Sequence, residues 1–305
     1  MSHRHEHAPL AGAHVSKKLR ELDAALTTTI PRVLENADDE AIHDMRVAIR
    51  RLRTLLKMSR RLYGVWHTDV VRRSFADVMR ATGDLRDEEV LEETLGEASE
   101  HPDFVAWVGA RKAREQRLRR AVVTRIERGD LDRARLMLKA LLVFPVDPEL
   151  DMDLARFARK TVERARRKVE DKRDVETSDV LGMHDLRIAY KELRYSIELL
   201  SDALPIDARA LLEPATVFQK RLGEIHDADV AIEVLSRAKG LPVDVRNAAL
   251  ESLRRLRDKR VSKYVRELDP LSVMRDKSNG APSPVPATDE PSEEDAPTVH
   301  IQRRS

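Results

Sequence analysis

Two stretches of this 305-residue chain carry the same pattern in the same order. HDMRVAIRRLRTLLK begins at His43 and HDLRIAYKELRYSIE begins at His184, and the two align without a gap. His43, Arg46, Arg50 and Arg53 fall on His184, Arg187, Lys191 and Arg194. About forty residues beyond each lies a second matched pair, GDLRDEEVL from Gly83 and GEIHDADVA from Gly223, preceded at equal offset by Arg80 and Lys220. Two blocks repeated in order indicate duplication. The chain must therefore fold as two versions of one unit, with halves near residues 9–147 and 148–270.

That unit is helical. Only 10 glycines occur in the whole chain, and the Ala, Leu, Arg and Glu-rich stretches between turn signals repeat with a period near 3.6 rather than 2. The pattern predicts helices near 14–36, 39–62, 68–82, 86–99, 103–128, 131–143, 150–174, 179–203, 206–222, 226–238 and 242–267. Breaks are expected at Gly64, Gly83, Gly129, Pro145 with Pro148, Gly182, Gly223, and Gly240 with Pro242. From about Arg275 the composition shifts to Pro, Ser, Asp and Glu, as expected of a disordered acidic tail over 271–305. Residues 1–8 are expected to be disordered, and the first dozen, with nearby His3, His5, His7 and His14, read as a loose, solvated terminus rather than a metal site.

Within the first copy, Ile42, Met45, Ile49, Leu52 and Leu56 form an apolar stripe that should face a core. One position along, His43, Arg46, Arg50, Arg53 and Lys57 recur with the same spacing, a cationic file about 21 Å long at ~1.5 Å per residue. The second copy repeats both. Met183, Leu186, Tyr190, Leu193 and Ile197 are apolar, and His184, Arg187, Lys191 and Arg194 are basic, with Glu198 where the first copy has Lys57. Like charges four apart destabilise a helix by about 0.2–0.5 kcal/mol per pair. A file of cations is therefore not what helix stability selects. Either acids on neighbouring helices quench it or a multivalent anion does. Guanidinium, ammonium and imidazolium groups all donate to phosphate oxygens, and a linear polymer of phosphates would add the salt-dependent release of counterions known for nucleic acids. Imidazole titrates near ~6.5, so such binding should strengthen as pH falls from about 8 to 6, in a window that neighbouring cations lower.

Together these motifs resemble the CHAD family of all-helical modules that bind inorganic polyphosphate. The resemblance rests on the His43-x-x-Arg46 and His184-x-x-Arg187 helices and on the Gly83-Asp84-Leu85-Arg86-Asp87 turn with its Gly223 counterpart, and spans about residues 9–270. It implies two helical bundles related by a pseudo-twofold, with the basic files lining a shared groove or pore that holds the polymer. By matching position the principal binders would be His43, Arg46, Arg50, Arg53, His184, Arg187, Lys191 and Arg194. Lys57, Arg80, Arg86, Lys220 and His226 would be secondary, and Lys18 and Arg159, equally spaced before the two histidines, more peripheral still. Glu198 in place of Lys57 and His226 in place of Arg86 imply an asymmetric site, stronger in its first half. Many members carry a CYTH triphosphatase-type domain. With only a short acidic tail after 270, the resemblance here is to stand-alone members associated with polyphosphate granules.

Other classes fit less well. The pairs His43-Asp44, His184-Asp185 and His226-Asp227 invite comparison with metal-dependent phosphohydrolases. Asp44 and Asp185, however, sit beside their histidines rather than one turn away, and so point off the basic face. Asp87, Glu89, Asp227 and Asp229 more simply steer Arg86 or cap turns. No GxxxxGK[ST] loop and no Ser/His/Asp order occurs, so a non-catalytic protein without cofactor or metal is expected. Nucleic-acid binding is suggested by Arg111–Arg128, where eight Lys and Arg outnumber two Glu, and by Arg156–Arg173, where nine outnumber three acids. Against it stand 4% aromatic residues and 56 Lys plus Arg nearly balanced by 54 Asp plus Glu. His67, His101 and His300 read as surface residues, and Trp66 and Trp107 as packing anchors. The chain has no cysteine, which excludes disulfides and thiolate sites. It shows no signal-peptide core, and its longest apolar run, Leu136–Phe144, is interrupted by Lys139. A cytoplasmic protein without membrane attachment is expected, its partners being polyphosphate and other granule proteins.

Overall fold

The low glycine content and the 3.6-residue period translate into helix throughout. The computed structural model describes residues 9–38 and 40–272, with side chains to residue 267, and every regular element among them is helical. The first half holds α1 (Ala11–Leu34), α2 (Ala41–Met58), α3 (Val65–Ala81), α4 (Gly83–Gly96), α5 (Pro102–Glu127) and α6 (Asp130–Leu141). The second holds α7 (Leu154–Lys172), α8 (Val180–Leu200), the short α9 (Ile206–Ala210), α10 (Leu212–Ser236) and α11 (Val243–Ser272). By contacts the chain divides into Met1–Arg266, which carries the packing below, and Glu267–Ser305, whose described part is the end of α11. None of the described helices is long and apolar enough to cross a membrane. The Pro-rich tail, His3, His5, His7 and His300 lie outside the described residues.

Capping decides where several helices begin. The Asp153 side chain accepts from the Arg156 N–H and delays α7 to Leu154, and Asp179 does the same for Gly182 in α8. Gly182 therefore lies inside the first turn of a helix rather than breaking one. Gly223 is a larger departure from expectation, because α10 runs through it without interruption. A helical glycine costs about 1 kcal/mol. Here Phe218, Leu222, Ile225 and Ala228 are buried on both sides of it, so packing offsets the cost. In the first copy the helix is interrupted at the matching place, at Thr82 between α3 and α4.

The predicted apolar stripes form the core. All five residues of each are 5% exposed or less. Within each half α2 packs on α1 and α3, and α8 on α7 and α10; across the halves α1 meets α7, α2 meets α8 and α4 meets α10. Each of these cross-contacts joins a helix to its sequence counterpart. The N-terminus participates as well. The Ala11 N–H donates to the Met152 carbonyl and the Leu154 N–H to that of Pro9, so the starts of α1 and α7 hold one another. Gly12 donates to Asp151 at 2.8 Å, and a Cβ at Gly12 would come within 2.6 Å of that carboxylate. Residues 9–12 are thus anchored rather than loose, and His14 lies in α1 against the Leu199 carbonyl. Trp66 also departs from expectation. It is 67% exposed in the first turn of α3, where no helix covers it, whereas Trp107 packs on Phe104.

Two ion pairs tie α2 to α8, Arg51 to Glu198 at 3.4 Å and Lys57 to Glu192 at 3.3 Å. The 141-residue offset that carries His43 onto His184 also carries Arg51 onto Glu192 and Lys57 onto Glu198. The two pairs are therefore reciprocal: both bases come from the first copy and both acids from the second.

Leu52 is fully buried in this core. Leu52→Ala is expected to lower the unfolding free energy by about 2–5 kcal/mol. Trp66→Ala, which removes a solvent-facing ring, should change it by no more than about 0.5 kcal/mol. Urea titrations of both variants check the contrast.

Candidate polyanion-binding site

The stripe that buries Leu52 rotates its cationic neighbour toward α8, and the matched stripe on α8 turns toward α2. The result is a convergence of charge at Lys191. Burial, followed by the charges of Arg50, Arg187, Arg46 and Arg53, holds its ammonium well below the usual lysine range. Arg46 is pushed down to about 10, first by burial and then by Arg50. Arg187 is lowered by burial, an effect that Asp227 partly offsets. Among the described residues Arg46, Arg50, Arg187 and Lys191 form no ion pair with a carboxylate. Arg50 instead reaches the Tyr195 hydroxyl at 3.4 Å.

The outer members behave differently. Lys57 is engaged by Glu192, and Arg194 by Glu198 at 2.8 Å and by Gln219, with its guanidinium 4.4 Å over the Tyr195 ring. Acids therefore pair directly with the outer members, whereas at the centre Asp87 and Asp227 offset Arg46 and Arg187 only in part. Glu198 does more than remove a cation from the second file, since it holds Arg194 and Arg51 together.

The matched arginines are oriented by different means. Arg46 is buried and donates to the Met79 carbonyl at 3.2 Å and to the Thr82 hydroxyl, both beside the break between α3 and α4. Arg187 lies across α10 at Gly223, its Nε 3.6 Å from where a Cβ would stand. Thr82 and Tyr195 were not singled out from the sequence. The position of Thr82 directly before the GDLRD block was the available signal for it, and Tyr195 carried none.

The two histidines of the repeat are unequal. His43 is exposed at the start of α2, while His184 is partly buried with its ring 4.8 Å from that of His226. Neither ring nitrogen of His184 has a hydrogen-bond partner among the described residues. Burial, then Arg187, lowers the His184 pKa, and burial, Arg187 and His184 bring His226 to about 4. The window foreseen from ordinary imidazole thus shifts downward, with burial as the leading cause.

Two secondary residues, Arg80 and Lys220, and the two peripheral ones, Lys18 and Arg159, are not among the charges that act on Lys191. Arg80 is exposed and pairs with Asp77. Lys18 lies 3.9 Å from Asp202, and Arg159 lines a small hollow beside the same aspartate. Lys220 is exposed on α10. Arg86 stays near the centre, where its charge reaches Arg46. Asp44 and Asp185 turn to neighbouring helices, pairing with Arg32 and Lys172. In the basic tracts Arg111 and Arg114 meet the buried Glu88, and Arg166 and Arg167 share Glu163. Among the described residues no three potential ligating side chains gather as a metal site.

Comparison with known proteins agrees with this architecture. The chain resembles the crystal structure of the CHAD domain from the plant Ricinus communis with a TM-score of 0.62 and 20% identity, over 88% of this chain and 91% of that one. It also resembles PptA from Streptomyces chartreusis, with a TM-score of 0.66 and 16% identity over 86% and 100% of the two chains. No curated protein matches the sequence. The family model for the CHAD domain matches residues 17–236, a span from α1 to the end of α10 that includes both cationic files. On that match the chain belongs to the CHAD domain family.

Proposed function

We propose that this chain binds inorganic polyphosphate where α2 and α8 meet, and that it acts as a non-catalytic scaffold or targeting protein at polyphosphate granules. The observation that carries this reading is the central set of Arg46, Arg50, Arg187 and Lys191, gathered without an ion pair among the described residues and only partly offset by Asp87 and Asp227. Such a set raises the energy of the free protein, and a chain of phosphates relieves it at every repeat. The association of CHAD domains with polyphosphate supports the same ligand. Arg46, buried and fixed by Thr82, supplies a rigid fork. Arg50, Arg53 and Arg187 supply bidentate donors, and Lys191 a compact ammonium whose charged form an anion favours.

A competition series of polyphosphate, tRNA and duplex DNA at fixed salt tests the ligand class, with polyphosphate expected to displace the other two. Joint Arg50→Glu and Arg53→Glu substitution should weaken polyphosphate binding at least about a hundredfold and flatten the log-affinity against log-salt slope by about 1–2. Helix content should stay unchanged. Preference for tRNA or DNA, or an unchanged slope, would reject the proposal.

The depressed bases make binding and stability depend on pH in a defined sense. Unfolded imidazole takes its proton near ~6.5, whereas folded His226 waits until about 4. Between those values the unfolded chain holds more protons, so the stability of the free protein falls as pH falls through that window. His226→Gln should make the decline shallower in thermal melts. An anion reverses the field at Lys191, His184 and His226, so binding takes up protons and strengthens as pH falls. Calorimetry at about pH 5–6, above the folded value of His226, in buffers of different ionisation heat should show that uptake. His226→Gln should reduce it while retaining affinity.

A further inference from the structure

Residues of α4, α10 and α11 line a cleft of about 490 Å³. Arg86 and Asp227 belong both to it and to the cationic centre. They line the cleft, while the charge of Arg86 reaches Arg46 and Asp227 is the acid that most offsets Arg187. Past them the walls carry Lys220 from α10, together with Lys259 and Lys263 from α11, one helical turn apart. Neither α11 lysine lies within the span matched by the family model.

The charge balance of the cleft depends on which groups are already engaged. Arg260 donates to the Glu224 carbonyl at 2.7 Å and to Glu97 at 3.0 Å. The Glu224 carboxylate is taken by Arg221 at 3.3 Å, and Asp227 stands in the field of Arg187, Arg260 and Arg86. Glu93 is then the acid left to face Lys220, Lys259 and Lys263, which form no ion pair among the described residues. The cleft therefore holds a surplus of exposed ammonium groups.

A polymer longer than the core must leave it, and its next phosphates fall in whichever opening adjoins. We propose that the α4–α10–α11 cleft is a second subsite for the same polyphosphate chain, with Lys220, Lys259 and Lys263 receiving the phosphates that emerge past Arg86 and Arg187. This rests on the polyphosphate reading above and adds chain-length discrimination to it. Flexible, hydrated ammonium groups suit a segment that is retained without fixed register. Engagement of core and cleft by one chain raises affinity through effective concentration, which a short anion spanning only the core cannot exploit.

The test is joint Lys259→Glu and Lys263→Glu substitution, with Lys259→Ala and Lys263→Ala as a milder pair. Titrations with tripolyphosphate and with long-chain polyphosphate are compared, and melting curves confirm the fold. Long-chain affinity should fall about tenfold while tripolyphosphate affinity changes less than about twofold. An equal fall for both anions would assign the lysines to the general field and overturn the subsite. So would unchanged long-chain affinity, or a loss confined to single-stranded RNA. Wild-type protein that binds neither anion would overturn the polyphosphate reading itself, an outcome distinct from intact binding with an indifferent cleft.

Discussion

The contact between α2 and α8 must hold together two helix faces that repel one another. Around Lys191 at least four guanidinium groups share a partly buried space. Two unit charges about 7 Å apart at an effective dielectric near 20 repel by about 2 kcal/mol. The reciprocal pairs Arg51–Glu198 and Lys57–Glu192 work against this, but partly exposed ion pairs contribute only about 0.2–1 kcal/mol each. The larger opposing contribution comes from the apolar stripes beside the files, where residues such as Met45, Leu52, Leu186 and Ile197 are buried. Each side chain of that kind stabilises by about 1.5–3 kcal/mol when removed from water. The core is thus what allows the cationic centre to exist.

Differences between the two matched halves divide the work of the site. Bases at 192 and 198, like those at 51 and 57, would place like charges opposite each other at two further points of the α2–α8 contact. Glu192 and Glu198 turn those points into a clamp, and the centre is offset only in part. The matched arginines differ similarly. Arg46 is held by the Thr82 hydroxyl and the Met79 carbonyl beside the break at Thr82, while Arg187 lies across a continuous helix at a glycine. His43 is exposed, whereas His184 and His226 form a partly buried pair of lowered pKa. Fixed charge therefore dominates the first half and titratable charge the second.

Much of this was legible in one dimension, for identifiable reasons. A 3.6-residue period marks both the apolar stripe and the cationic file one position beside it, so the helix face of Arg46, Arg50, Arg187 and Lys191 could be read without coordinates. The breaks were less legible. Gly83 and Gly223 occupy the same place in the repeat, yet one begins a helix after a break and the other continues one, because neighbouring packing rather than local propensity decides a single glycine. Trp66 shows the same limit, since a large ring in a helix pattern does not reveal whether another helix will cover it.

By itself the sequence determined the all-helical class, the two matched halves, and the identity and spacing of the cations, since these depend on residue order along one helix. Tertiary structure decided which of those cations are quenched. Lys57 and Arg194 meet acids, Arg80, Lys18 and Arg159 lie elsewhere, and Lys259 and Lys263 border an opening beside the centre. Charge compensation depends on distances between groups far apart in the chain, and only the packing of helix against helix sets those distances.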